Sequence, residues 1–233
     1  MKVALLAGGI VLSLLVWALL RIFWAPYWIP SGSMKPTLLI GDYIAVPTKN
    51  SVARPRRGEV YVFRHPVTGA TLVARLIGVA GDTIQMKNGS VILNGTPLPQ
   101  EPIEDFAEVF DFQGPSSNPP ICANGVIGVG QMCIKFQFVE TLPDGTRYRT
   151  LDVGTSQLDN TGIFTVPAEQ LFFLGDNRDN STDSRVPPGM RGVGFVPVAN
   201  LIGQPDFVVF SANGPALWQF GTWRADRFLK TIW

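Results

Sequence analysis

Residues Val3 to Leu20 read VALLAGGIVLSLLVWALL, eighteen positions with no charge and with Ser13 as the only polar side chain. A helix of that length spans about 27 Å, close to the hydrocarbon thickness of a bilayer. The run is apolar on all faces, which suits lipid better than the one-sided core contact of a water-soluble helix. Arg21 follows, and then Trp24, Tyr27 and Trp28, ring types that settle at headgroup level. A cleaved leader is the competing reading. Against it, the run exceeds an h-region, lacks a small-x-small site at its end, and places Pro26 directly after its best small residue, Ala25. Residues 1–28 are therefore read as a retained transmembrane anchor with its interfacial segment. Charge barely orients it, because Lys2 precedes the span while Arg21 and Lys35 follow it.

The remainder reads as all-β. Short runs rich in β-formers recur at Tyr43–Val46, Glu59–Arg64, Leu72–Ile77, Phe164–Val166, Leu171–Leu174, Gly194–Val198 and Phe207–Ser211. Thr83–Met86 and Val91–Leu93 flank Asn88-Gly89, a strong hairpin signal. Cys133–Val139 and Tyr148–Val153 flank a turn with Pro143-Asp144-Gly145. The stretch from Pro97 to Asn160 is rich in Gly, Pro and Asn and reads as an inserted lobe or a set of long loops. A short helix is expected near Trp218–Leu229. With one histidine, His65, and two cysteines, Cys122 and Cys133, the chain is not expected to build a zinc site. Those cysteines suit either a disulfide in an oxidising compartment or inert free thiols. A net charge of +1 gives no electrostatic footprint for nucleic acid.

Three segments concentrate chemistry. Ile29-Pro30-Ser31-Gly32-Ser33-Met34-Lys35-Pro36-Thr37-Leu38 carries two hydroxyls two residues apart. One could attack a carbonyl while the other donates to the oxyanion; equally, both could cap backbone groups in a polar turn. The run from Leu72 to Asp82 is a strand ending in Gly-Asp. Gly175-Asp176-Asn177-Arg178-Asp179-Asn180-Ser181-Thr182-Asp183-Ser184-Arg185 is dense in charge, and alone would pass for a solvated loop.

Together the segments closely resemble the bacterial type I signal peptidase family, whose motifs match Ser31–Leu38, Gly41–Val46, Ala74–Arg75 and Gly175–Arg185. The resemblance implies two antiparallel β lobes, the second inserted into the first. That gives a catalytic β domain over 29–82 and 165–215, an inserted lobe over 83–164 and a tail over 216–233. It implies Ser33 as nucleophile, with Ser31 and the Ser33 N–H as oxyanion donors. Ser181 would orient the base, and Arg75, Asp183 and Arg185 would form an ion-pair network beneath the site. Ile29, Pro30, Met34, Leu38, Leu72 and Val73 would line shallow apolar pockets for Ala-sized residues before the cut. No cofactor or metal is implied. The partners are exported preproteins with signal peptides and membrane lipid; the oligomeric state is left open. The location implied is the bacterial inner membrane, single-pass, with the catalytic part on the periplasmic side.

One position departs from the family. The general-base lysine immediately before Arg75 is replaced by Ala74, and a methyl group cannot take the Ser33 proton. Arg75 cannot substitute, since a guanidinium does not deprotonate in proteins. His65 lies outside every motif and reads as a strand-end residue. Lys35 is expected to be exposed beside Pro36. The chain as written is therefore expected to be inert. An engineered lysine-to-alanine replacement is favoured, because the other site residues are all retained; a natural pseudopeptidase that binds signal peptides is the alternative. A self-cleaving repressor of the related Ser-Lys type is disfavoured by the anchor.

Overall fold

A computed structural model describes residues 21–49, 54–115, 117–214 and 218–232. The apolar run read as the anchor lies outside the described residues, and among those described no helix is long and apolar enough to cross a membrane. The chain is mostly β, in four sheets of antiparallel strands.

The first sheet pairs β1 (Trp24–Trp28), β2 (Asp42–Pro47), β15 (Phe207–Ser211) and β16 (Lys230–Thr231) in that order. Residues 21–23 are helical, and β1 follows directly at Trp24, inside the stretch expected to be interfacial, where Trp24–Trp28 runs in full register with Tyr43–Pro47. The second sheet has the order β13 (Val196–Pro197), β12 (Gln170–Leu174), β4 (Thr71–Gly78), β3 (Val60–Arg64) and β14 (Leu201–Gly203). The third holds β11 (Phe164–Thr165), β5 (Thr83–Lys87), β6 (Ser90–Leu93) and β7 (Thr96–Pro97). The fourth is β10 (Arg147–Asp152), β9 (Met132–Thr141) and β8 (Gln100–Val109).

Side-chain alternation explains how the second sheet is covered on both faces. Leu171 and Phe173 enter one core with Leu76, Phe63, Ile44 and Val208. Phe172 and Leu174 enter another with Ile77, Ile84, Met86 and Leu142. Asn88-Gly89 makes the expected hairpin: Lys87 pairs with Ser90, and both turn residues have positive φ, 48° and 78°, as a type I′ turn requires.

The sequence does not reveal one strand, and one expectation is corrected. The segment from Pro97 contains a long strand, Gln100–Val109, that composition concealed. Its sequence is acidic and includes Pro102, and a register shift between Ile103 and Phe106 breaks the two-residue period a reader would look for. The helix expected over Trp218–Leu229 is instead two 3-10 turns, Phe220–Thr222 and Ala225–Arg227. Phe210 on β15 receives Trp223 and Phe228 around its ring, which a continuous helix with those residues five apart would not present together. Cys122 and Cys133 form a disulfide, which ties the loop before β9 to that strand.

The fourth sheet meets the rest of the molecule through a buried charge pair. Glu140 on β9 is fully buried and receives both Nη atoms of Arg178, at 3.0 and 2.7 Å, and the Tyr148 hydroxyl at 2.5 Å. Burial alone would raise the Glu140 carboxyl, but the Arg178 charge and the hydrogen bonds from Arg178, Tyr148 and Gln100 outweigh it and hold it below the ordinary range. The folded state therefore binds fewer protons here than the unfolded chain. Stability from this group is present above the ordinary carboxylate pKa, about 4.3, and is lost as pH falls below it. Glu140→Gln is expected to cost about 3–5 kcal/mol at neutral pH by leaving Arg178 uncompensated. Denaturant titrations at pH 7 and pH 4 check this: the gap between wild type and variant should narrow at the lower pH.

Candidate active site

After β1 the chain turns at Ile29, whose N–H donates to Asp42 O and whose carbonyl accepts from Gly41 N–H. Ser31 to Leu38 then form consecutive turns, with a cis Lys35–Pro36 bond and a Leu38 N–H to Met34 O bond of 2.8 Å. The Ser31 and Ser33 hydroxyls stand 3.2 Å apart, Ser31 exposed and Ser33 half-buried.

The segment Gly175–Arg185 holds this loop from behind. The Asn177 N–H donates to Ser33 O and its Nδ2 to Gly32 O, both at 2.9 Å. Asn177 is fully buried and was not singled out from sequence, because a lone Asn in a charged loop carries no signal of what its amide reaches. Gly175 allows the close approach. A Cβ there would lie 2.3 Å from Ser181 Oγ and 2.7 Å from Ser33 O. Ser181 and the Ser33 backbone therefore converge on one point.

Beneath the loop, Arg75 makes two parallel hydrogen bonds to Asp176, Nε to Oδ1 and Nη2 to Oδ2, each 2.7 Å. Its Nη1 donates to Gly58 O, and its guanidinium lies 4.4 Å from the Tyr148 ring centroid. Thr37, near the end of the Ser31–Leu38 loop, donates to Asp176 Oδ2 and accepts from Arg75 Nη2. Asp183 pairs with Arg185, Nε to Oδ1 and Nη2 to Oδ2 at 2.8 Å, and accepts the Gly175 N–H. The expected three-residue network is thus two separate pairs. Arg75 takes Asp176, and the chain turn between 176 and 183 places Asp183 on Arg185.

Ala74 lies on β4 opposite Tyr61 and is 7% exposed. Alternation along the strand turns its methyl to the face opposite Arg75. There it joins one apolar cluster with Ile29, Met34 and Leu38, against which Leu72 and Val73 also pack. Five of the six expected pocket residues therefore belong to the cluster that holds Ala74 or pack against it, while Pro30 is exposed at the start of the loop.

Lys35 corrects an expectation. It is 3% exposed, and its Nζ donates to Glu108 Oε2 at 2.5 Å and to Gln113 Oε1 at 2.7 Å. The β8–β9 hairpin supplies this partner, which local sequence could not reveal. Burial pushes the Lys35 ammonium below the usual lysine range; the Glu108 carboxylate opposes the shift, and nearby Lys135 and Arg224 add to it. Lys135 is also fully buried, 2.9 Å from Glu108 Oε1, though not aligned for a hydrogen bond. His65 follows the end of β3, its Nδ1 accepting from the Val67 and Thr68 N–H groups and its Nε2 3.1 Å from Gly192 O.

The chain is similar to known proteins over most of its length. The family described as signal peptidase, peptidase S26, matches residues 3–210. Signal peptidase I of Rickettsia typhi is 32% identical, and that of Rickettsia prowazekii 31%; each alignment spans 81% of this chain and 72% of the relative. The crystal structure of a signal peptidase I from Enterococcus faecalis V583 is 24% identical, covering 65% of this chain and 96% of that one with a TM-score of 0.34.

The crowding at Gly175 makes a direct test. Gly175→Ala forces Ser181 and the Ser33 carbonyl apart and is expected to destabilise the fold by about 3 kcal/mol. Thermal melting of the variant checks it, with a surface Gly162→Ala variant, whose added Cβ meets nothing within 4 Å, as the matched control.

Proposed function

The chain belongs to the signal peptidase family, peptidase S26, and from that membership we propose that it is a membrane-held serine endopeptidase scaffold for the signal peptides of exported preproteins. As written, with Ala74, it binds such peptides without cutting them. The observation that carries this reading is Ala74 itself: a buried methyl among apolar side chains, in a site whose surrounding supports are intact. Ser33 is assigned as the nucleophile. Ser31 Oγ and the Ser33 N–H are the donors for the oxyanion formed when Ser33 Oγ adds to the scissile carbonyl. Asn177 and Gly175 hold the loop, and Ser181 is assigned to orient a base extending from position 74. The lobe over 83–164 is read as the inserted domain.

The missing step is proton transfer. Ser33 Oγ must lose its proton on attack, and the leaving amine must gain one. No described neighbour supplies this. Lys35 is tied to Glu108 and Gln113, His65 to its turn and Gly192. The otherwise complete site favours a lysine replaced by alanine in a competent enzyme. A natural binder of signal peptides is the second reading, supported by the same intact apolar cluster.

The membrane part of the proposal rests on the apolar run and on one sheet. β1 and β16 lie in the same sheet. Around it Ile22, Phe23, Trp28, Trp218, Phe220 and Leu229 are exposed at 44–77%, a concentration of rings and aliphatic groups that suits an interface.

Ala74→Lys is expected to restore processing of a preprotein in lipid, by as much as about six powers of ten, and Ser33→Ala in that background should abolish it. A revertant that stays inert while the original chain binds signal peptides would favour the natural binder. Replacing Trp218 and Phe220 by Ser in a form starting at Arg21, which keeps β1, should weaken sedimentation with lipid vesicles; unchanged sedimentation would remove the tail from the membrane contact.

A further inference from the structure

The loop from Ser31 to Lys35 has two sides. The apolar side carries Ala74 and its cluster. On the other lies a cavity of about 110 Å³ to which β4 contributes nothing. Its lining runs from exposed Ser31 to buried Gly32 and Lys35, and includes Gln113, Asn118 and Asn180. Lys35 is the only ionisable residue in that lining. Behind it, Glu108 is shared with Lys135, so two ammonium groups face one carboxylate and a positive charge is left in excess. An ammonium has three N–H donors, and those of Lys35 reach Glu108 and Gln113. A larger cavity of about 250 Å³ lies elsewhere, and its arginines Arg56, Arg57 and Arg147 are matched by Glu59, Asp82 and Glu101; it holds no comparable excess.

We propose that the cavity at Lys35 is the subsite for the first residue after the cut, and that it favours a carboxylate side chain there. This rests on the reading of Ser33 as the nucleophile. A substrate lying extended across Ser33 sends the side chain before the cut into the apolar cluster. The next residue lies about 3.3 Å further along and points the other way. Ser31 Oγ is 3.2 Å from Ser33 Oγ and also lines the cavity, so the cavity opens within one residue of the reacting atom. A carboxylate entering it meets the Lys35 ammonium and the side-chain amides of Asn118 and Asn180, and accepts charge-assisted hydrogen bonds, while the Gln113 amide, bonded to Lys35 and Glu108, holds that ammonium in place. A glutamine finds the amides but not the charge pairing. A lysine meets a like charge in a partly desolvated site.

The chain as written allows a binding test without turnover. Synthetic signal peptides spanning a cleavage site, with Glu, Gln or Lys as the first residue after the cut, are titrated against the full chain in detergent. Glu is expected to bind about fivefold tighter than Gln and about tenfold or more tighter than Lys. Asn118→Asp, at an exposed position that tolerates the change, adds a negative charge to the lining and should erase the preference for Glu. Equal affinities for the three peptides, in an assay where Ala→Phe immediately before the cut still weakens binding, would overturn the subsite and leave the signal-peptide reading standing. Failure of every peptide to bind would overturn both. A preference for Glu that survives Asn118→Asp unchanged would place the selectivity outside this cavity and overturn the assignment.

Discussion

The paired hydrogen bonds between Arg75 and Asp176 are the joint on which the site is assembled. Arg75 comes from β4, Asp176 from the segment after β12, and Thr37, bonded to both, from the nucleophile loop. Three stretches distant in sequence are thus fixed to one planar guanidinium. Both partners are fully buried, so neither charge has water to fall back on, and removing one would leave the other uncompensated. The Tyr148 ring over Arg75 brings the fourth sheet to the same point.

From that joint the positions of the two serines follow. Asp176 fixes the next residue, and Asn177 then reaches the Ser33 and Gly32 carbonyls. The Ser31–Ser33 loop is therefore oriented through its backbone, and its two hydroxyls are left to each other, 3.2 Å apart. Gly175 is obligatory because the backbone of Ser33 and the side chain of Ser181 pass where a methyl would otherwise sit. The hydrogen bonds that hold this loop do not involve position 74.

The fourth sheet is more than a decoration on this frame. It contributes Glu140 to Arg178 on one side and Glu108 to Lys35 on the other. Each contact buries a charge beside the Gly175–Arg185 segment or the nucleophile loop. In both cases the carboxylate is held below its ordinary range by the cations around it, against the effect of burial.

Sequence alone determined the local matters. The Asn88-Gly89 turn, the alternation that covers both faces of β12, and the motif residues around Ser33 were legible because turn chemistry and side-chain period act over a few residues. The absence of a base at Ala74 was legible too, since it depends only on what a methyl group is. Tertiary structure decided what depends on partners far along the chain. It gave Arg75 to Asp176 and not to Asp183, drew Lys35 inward to Glu108 some seventy residues away, revealed Asn177 as the support of Ser33, and paired Gln100–Val109 as a strand despite its acidic, proline-bearing sequence. A buried charge declares its partner only when the fold has removed water from both, and that is settled by packing, not by neighbours in sequence.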